Sequence, residues 1–200
     1  ITVGGAGDVN GDGYADVIAG ACRFDNSSFP IEGTVFVYLG SAGGVSTTPA
    51  TTLESDQAGY WLGYSVAGAG DVNGDGYADI VLGAPWHSNG QTDEGGVFVY
   101  HGSGTGLSTT PTLILESNQA DALLGRSVAG AGDVNGDGYA DVIAGAYRYD
   151  HGQNEEGAAF VYLGSSSGLS TTPATLLECN QSYGYMGHSV AGAEIGRAHV

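Results

Sequence analysis

The stretch DVNGDGYAD occupies residues 8–16 and recurs without a change at residues 71–79 and 133–141. Oxygen-bearing side chains stand at its first, third, fifth and ninth positions, and its glycines permit a sharp bend. Together with the backbone carbonyl at position seven, these oxygens form the flexible shell that suits Ca2+. The predicted ligands are Asp8, Asn10, Asp12, Tyr14 and Asp16; Asp71, Asn73, Asp75, Tyr77 and Asp79; and Asp133, Asn135, Asp137, Tyr139 and Asp141. The sequence therefore predicts three Ca2+ sites.

The residues that follow each copy separate it from other Ca2+-binding loops. An EF-hand needs Glu at position twelve and a helix on each side, whereas this position holds Ala19, Leu82 or Ala144. The next residues read ADVIAGA or ADIVLGA, in which small and β-branched residues favour a strand. A dockerin-type loop fails for the same lack of a helix, and the GGxGxD nonapeptides of RTX repeats are absent. We therefore place the loop between two strands.

The repeat extends far beyond the acidic loop, because 63 residues separate Asp8 from Asp71 and 62 separate Asp71 from Asp133. The second copy contains four apolar segments of strand length, GYSVAGAGD, ADIVLGAP, GGVFVYHGS and PTLILES. Alternating Val and aromatic residues in GVFVY are typical of a strand. Four short strands in each repeat of about 60 residues indicate a β-propeller blade. The small residues of the first segment suit the crowded centre of such a fold.

Composition supports an all-β protein and excludes some partners. The 200 residues include 37 glycines, with 42% hydrophobic and 13% charged residues. The formal net charge is -18, and the four basic residues are all arginines, so nucleic acid and anionic membranes are excluded as partners. The sequence contains no run of 18 apolar residues, so direct membrane insertion is not predicted. Because Ca2+ is plentiful outside cells, such loops favour a secreted or cell-surface location.

Short motifs beside the acidic loops carry a family resemblance. Leu-Gly or Met-Gly pairs stand where a Phe-Gly pair is usual, and a Gly-Ala-Pro motif or a variant of it follows each loop. The pairs are Leu62-Gly63, Leu124-Gly125 and Met186-Gly187, and the motifs are Gly20-Ala21-Cys22, Gly83-Ala84-Pro85 and Gly145-Ala146-Tyr147. Over residues 1–193 the chain resembles FG-GAP repeat proteins and is similar to the N-terminal β-propeller of integrin α chains. The resemblance implies a seven-bladed propeller with Ca2+ between the first and second strands of a blade.

Only about three blades are present, so we interpret the chain as an internal segment whose partners include the remaining blades of a longer chain. We assign residues 1–62 to an N-terminally truncated first blade, 63–124 to the second and 125–186 to the third. Residues 187–193 are predicted to form the first strand of a fourth blade. Residues 194–200 break the repeat and are interpreted as a non-native, adapter-like tail.

Divergent loops are predicted on the face opposite the acidic loops, because strand direction alternates within a blade. These loops, residues 22–33, 85–95 and 147–157, are called the distal loops below. In integrin-like propellers this face binds ligand, so a protein or glycan partner is expected here, although unconstrained loops also diverge. The candidate ligand-binding residues, all expected to be exposed, are Phe24, Phe29, Trp86, His87, Tyr147 and Tyr149. The loops also carry acids that are expected to be exposed, namely Asp25, Asp93, Glu94, Asp150, Glu155 and Glu156.

No catalytic constellation accompanies these features. The chain has no G-x-S-x-G motif, and neither Cys22 nor Cys179 has a fixed base nearby or is predicted to form a disulfide. We therefore predict a non-enzymatic, Ca2+-stabilised extracellular propeller segment that mediates adhesion or ligand binding. Two alternatives remain open at this point: a substrate-presenting accessory domain of a secreted hydrolase, and a purely structural spacer.

Overall fold

The computed structural model describes residues 1–25 and 30–192, and this part of the chain contains twelve strands and no helix. The first sheet consists of β1 (Thr2–Gly7), β2 (Asp16–Ala21), β3 (Thr34–Tyr38) and β4 (Thr51–Glu54). The second consists of β5 (Ser65–Gly70), β6 (Asp79–Ala84), β7 (Gly96–Tyr100) and β8 (Leu113–Glu116). The third consists of β9 (Leu124–Gly132), β10 (Asp141–Ala146), β11 (Ala158–Tyr162) and β12 (Thr175–Glu178).

Each sheet is antiparallel, and its four strands lie in sequence order. All four strands predicted for the second repeat are confirmed as β5 to β8. β9 begins at Leu124, one residue ahead of the predicted third blade. Three four-stranded antiparallel sheets of this kind form a partial β-propeller, as the repeat pattern indicated.

Neighbouring blades contact each other through their inner strands, since β5 contacts both β1 and β9. Small residues make this approach possible. A Cβ atom on Gly68 would lie 2.8 Å from the carbonyl oxygen of Gly5, and one on Gly130 would lie 2.8 Å from that of Gly68. Larger side chains at these positions would force the blades apart.

The glycines of the two short motifs touch across the blade boundary. A Cβ atom on Gly83 would collide with the carbonyl oxygen of Gly125 in the next blade. The hydroxyl of Ser65 donates to the same carbonyl at 2.9 Å. The pairs Gly20 with Gly63 and Gly145 with Gly187 repeat the close approach. The Leu-Gly and Gly-Ala motifs therefore form one contact between successive blades.

Two hydrophobic cores fill the spaces between the three blades. The middle blade supplies residues to both: Ile80 and Leu82 of β6 face the first blade, whereas Val81 faces the third. Every residue of β6 and β7 is therefore buried, whereas β2 in the first blade alternates between buried and half-buried residues. Burial on both faces explains why these strands read as continuous apolar runs.

The segment predicted as the first strand of a fourth blade differs from the prediction. Within residues 187–192 no strand is formed, although the Val190 amide donates to the Ser127 hydroxyl at 2.9 Å and Gly192 lies against Gly130. The segment thus lies beside β9, as β5 lies beside β1. Among the described residues, no second strand is available to pair with it. Residue 193, the predicted tail at 194–200 and Phe29 lie outside the described residues. The part of the chain described contains no helix long and apolar enough to cross a membrane.

Candidate metal loops and the opposite face

Each acidic loop is closed by its first aspartate. Asp8 Oδ1 accepts the amides of Gly11 and Asp12 at 2.7 and 3.1 Å, and its Oδ2 accepts the amide of Gly13 at 2.8 Å. The corresponding three bonds recur at Asp71 and Asp133. Gly11 and Gly13 have φ angles of 73° and 90°, which glycine adopts without strain. The identical sequence therefore folds into three identically bonded loops, called the metal loops below.

The ninth-position aspartate ties each metal loop to the rest of its blade. Asp79 is fully buried, and its two carboxylate oxygens accept the amides of Val72 and Gly102 at 2.9 Å each. Asp16 and Asp141 make the equivalent pairs of bonds. Burial raises the pKa of the Asp79 carboxyl to about 6, although the two amide donors oppose this shift. A cation beside this group would favour its ionised form.

The donor chemistry of the metal loops suits a hard cation. Asp8, Asn10 and Asp12 supply side-chain oxygens, and each carboxylate oxygen that accepts one amide keeps a second lone pair. In residues 1–25 and 30–192, no three acidic, histidine or cysteine side chains converge closely enough to hold a metal by themselves. Asparagine and backbone oxygens would therefore have to complete each shell. The three Ca2+ sites stay a prediction.

The metal loops also join neighbouring blades. The carbonyls of Asp8 and Val9 accept the amides of Ala78 and Ser103 in the second blade at 3.0 Å each. The same two bonds link Asp71 and Val72 to Ala140 and Ser165 in the third blade. A single repeat carries no signal for these bonds, because donor and acceptor belong to different blades.

The position-seven tyrosines extend this linkage through their rings. The Tyr77 ring packs against Gly11 of the preceding blade, and the Tyr139 ring packs against Gly74. A side chain at either glycine would displace the ring. The sequence predicts the tyrosine carbonyls as ligands. The ring positions cannot be predicted from a single repeat, because each ring packs against the preceding blade.

On the opposite face, one aromatic residue anchors each distal loop to its blade. Phe24 packs edge-on against Phe36 with ring centroids 5.9 Å apart. His87 and Tyr149 make the equivalent contacts with Phe98 and Phe160, at 5.4 and 5.1 Å.

The prediction that His87 is exposed is wrong. Only 5% of its surface is accessible, and its Nε2 lies 2.9 Å from the Glu116 carboxylate. Tyr60 covers the ring with centroids 4.6 Å apart. Contacts with Phe98, Tyr60 and Glu116 therefore bury the imidazole. His87 is therefore a poor candidate for direct ligand contact.

The other predicted ligand-binding residues differ in exposure. Phe24 is exposed, whereas Trp86, Tyr147 and Tyr149 are half-buried. The Trp86 and Trp61 rings pack with centroids 4.3 Å apart. A role for these four residues in ligand binding stays a prediction.

Glu94 and Glu156 are fully buried, so the prediction that they are exposed is wrong. Glu94 Oε1 accepts the amides of Asn89 and Gln91 at 2.8 and 3.3 Å, and Glu156 makes the equivalent bonds in the third blade. These carboxylates lie inside the distal loops and stabilise them by accepting hydrogen bonds from their backbone amides. Glu32 holds the same place in the first blade, and burial raises the pKa of its carboxyl. A loop carboxylate can satisfy backbone amides, which a rule based on residue polarity overlooks.

Both cysteines are free, as predicted. Cys179 lies where the other blades have Ser55 and Ser117, and its thiol donates to the carbonyl of Glu156 at 3.4 Å. The serine hydroxyls donate to the equivalent carbonyls of Glu32 and Glu94. Cys179 is therefore a structural replacement for serine.

Comparison with known proteins agrees with this architecture. The FG-GAP repeat model matches residues 2–38, 62–100 and 124–162, which together make up more than half of the chain. Human integrin alpha-6 is 34% identical over 139 residues, covering 70% of this chain and 12% of the relative. Integrin alpha-7 from Rattus norvegicus is 36% identical over 141 residues, with the same shares. Integrin alpha-5 from Xenopus laevis is 31% identical over 173 residues, covering 82% of this chain and 16% of the relative.

The FG-GAP matches cover the acidic loops and the first three strands of all three sheets. The chain spans roughly an eighth of the length of the integrin α chains it resembles. The chain belongs to the FG-GAP repeat family.

Proposed function

We propose that this chain is a Ca2+-stabilised segment of an extracellular β-propeller that binds protein or glycan ligands through its distal loops. The contrast between its two faces carries the proposal. The metal loops repeat the same residues and hydrogen bonds in all three blades, whereas the distal loops present different residues on the same scaffold. Variable loops on a constant scaffold suit recognition.

The similarity to integrin α chains supports an adhesive role and a secreted or cell-surface location. Ligands in that setting are expected to be proteins or glycans, and further blades of the same longer chain would flank these three. No enzymatic step is proposed. The free thiols are structural or isolated, and the buried carboxylates of Glu94 and Glu156 each accept backbone amides through one oxygen.

Asp8, Asn10, Asp12, Asp16 and their repeat equivalents would hold the Ca2+ ions, with the carbonyls of Tyr14, Tyr77 and Tyr139. Bound Ca2+ would supply positive charge to the aspartates of each metal loop, whose carboxylates otherwise repel one another. The aspartates themselves orient the loop by accepting backbone amides. Because the loops are hydrogen-bonded across the blade boundary, order in one loop stabilises the next blade.

The proposal is tested by measuring binding of the chain to purified extracellular-matrix proteins and to a glycan array. Phe24→Ala and Trp86→Ala alter the distal face, and Val45→Ala is a matched control on the metal face, where Val45 is 51% exposed. We expect at least one ligand whose affinity falls about tenfold or more in the distal variants and does not change in the control. Absence of any ligand, or equal loss in Val45→Ala, would contradict the proposal and favour a spacer.

A further inference from the structure

A pocket of about 500 Å³ opens where the inner strands begin, at the end opposite the metal loops. Repeat-equivalent residues line it, namely the residue after each Leu-Gly or Met-Gly pair and the hydroxyl residue that follows. These are Tyr64, Arg126 and His188 with Ser65, Ser127 and Ser189. We call this the inner-strand pocket. It borders the distal loops, since Cys22 lines it and Tyr147 contacts Arg126.

Arg126 is held in the pocket by aromatic side chains. Its guanidinium carbon lies 4.6 Å from the centroid of the Tyr64 ring and 5.7 Å from that of Tyr147. Its Nη2 lies 3.2 Å from His188 Nε2, a nitrogen that can accept from the guanidinium only when it carries no proton. Cation–π contacts orient the guanidinium and retain its positive charge.

The charge of Arg126 is not neutralised within the described residues. The ion pairs of residues 1–25 and 30–192 include Arg148 with Glu155 but none to Arg126. The residues that line the pocket include no acid, although the chain has 22 acidic residues. Arg126 thus presents a half-buried guanidinium without a carboxylate partner, although the protein itself is strongly acidic.

The single guanidinium favours a carboxylate over more highly charged anions. Its planar fork matches a carboxylate in a bidentate manner, whereas phosphorylated motifs are usually bound by several cations. Two of the hydroxyls that line the pocket already donate to backbone carbonyls, Ser65 to Gly125 and Thr2 to Gly63. These two hydroxyls are therefore not available as donors to the hydroxyl groups of a sugar.

We propose that the inner-strand pocket binds the side-chain carboxylate of an acidic peptide segment, with Arg126 as the anchoring cation. The aromatic rings of Tyr64 and Tyr147 preorganise the guanidinium and supply apolar surface for residues beside the acid. This proposal rests on the proposed function, because it places a protein ligand on the same face. It adds the chemical group recognised and the residue that recognises it.

Intrinsic fluorescence reports directly on this site. The only tryptophans of the chain are Trp61 and Trp86, and Trp86 lies 5.4 Å from Tyr64 between ring centroids. The probes are acetyl-Leu-Asp-Leu-amide, its Asp→Asn analogue and glucuronate. We expect a saturable fluorescence change with the acidic peptide and a much weaker one with the other two probes.

Variants of the full 200-residue chain identify the anchor. Arg126→Gln removes the charge, and we expect the dissociation constant for the acidic peptide to rise about tenfold or more. Arg126→Lys keeps the positive charge but lacks the planar fork. We expect its dissociation constant to lie between those of the unsubstituted chain and Arg126→Gln. Arg148→Gln is the matched control, since Arg148 already pairs with Glu155 on the same face, and it should leave binding unchanged. Thermal unfolding of each variant verifies that it is folded.

Four results would overturn the proposal: equal binding of the Asp and Asn peptides, unchanged binding in Arg126→Gln, no saturable change up to about 10 mM peptide, or tighter binding of glucuronate than of peptide. The outcome is separable from that of the proposed function. If matrix ligands bind and depend on Phe24 or Trp86 but not on Arg126, only the pocket assignment fails. If the peptide binds through Arg126 and no matrix ligand is found, the distal-loop proposal fails instead.

Discussion

Gly83→Ala tests the contact that joins one blade to the next. The new Cβ atom would collide with the Gly125 carbonyl oxygen and the Ser65 hydroxyl, both at the boundary between the second and third blades. Overpacking of this kind costs about 1 to 3 kcal/mol. Displacing the hydroxyl also removes its 2.9 Å hydrogen bond to Gly125, which is worth about 1 kcal/mol. We therefore expect a loss of about 2 to 4 kcal/mol in the free energy of unfolding.

Gly5→Ala is the matched control. Gly5 also lies in an inner strand, but a Cβ atom there would have no neighbour within 4 Å, and its φ is not in the left-handed region. We expect its stability to change by less than about 1 kcal/mol. Urea unfolding followed by circular dichroism and tryptophan fluorescence measures both variants. The packing argument is refuted if Gly83→Ala loses less than about 1 kcal/mol or no more than Gly5→Ala.

Three further substitutions probe other parts of the account, each by thermal or urea unfolding. Leu82→Ala should cost about 2 to 5 kcal/mol because Leu82 is fully buried between blades; Leu177→Ala, at a 40% exposed site, should cost far less, and equal losses would contradict the two-core arrangement. Glu94→Ala should cost about 2 to 4 kcal/mol, because the loop amides bonded to the carboxylate lose their acceptor; a neutral result would show that this bonding is dispensable. Cys179→Ser should change stability by less than about 0.5 kcal/mol, since serine holds this place in the other blades; a large loss would refute the equivalence.

Much of the fold could be predicted because it depends on local repetition. The invariant loop sets the register, and apolar segments of strand length follow it at fixed spacing, so β5 to β8 appear where the second repeat places them. The alternating side chains of β7 also explain its two buried faces: Val97 faces the third blade and Phe98 the first. Periodicity carries this information within a single repeat.

The candidate sites were only partly predictable because their details depend on contacts between distant residues. His87 was expected at the surface, but contact with Phe98 and Glu116 buries it. Glu94 was expected to be exposed, but backbone amides of its own loop occupy it. Residue type indicates average exposure, and a charged residue with fixed donors can depart from it.

The inner-strand pocket illustrates the same limit. Arg126 and Tyr64 are repeat equivalents 62 positions apart in the chain. Only the packing of β5 against β9 brings their side chains together. A comparison of equivalent positions could have singled out Arg126 as a cation in an acidic protein, but its aromatic neighbours depend on the assembled blades.

Calcium-dependent thermal unfolding tests the central claim most directly. The chain is melted in the calorimeter with excess Ca2+, and again in EDTA. Because a ligand present at 100 times its dissociation constant stabilises the folded state by about 2.7 kcal/mol per site, three occupied metal loops predict a melting temperature that is clearly higher in Ca2+. The same melting temperature in Ca2+ and in EDTA would contradict the claim that these loops bind Ca2+ and stabilise the propeller.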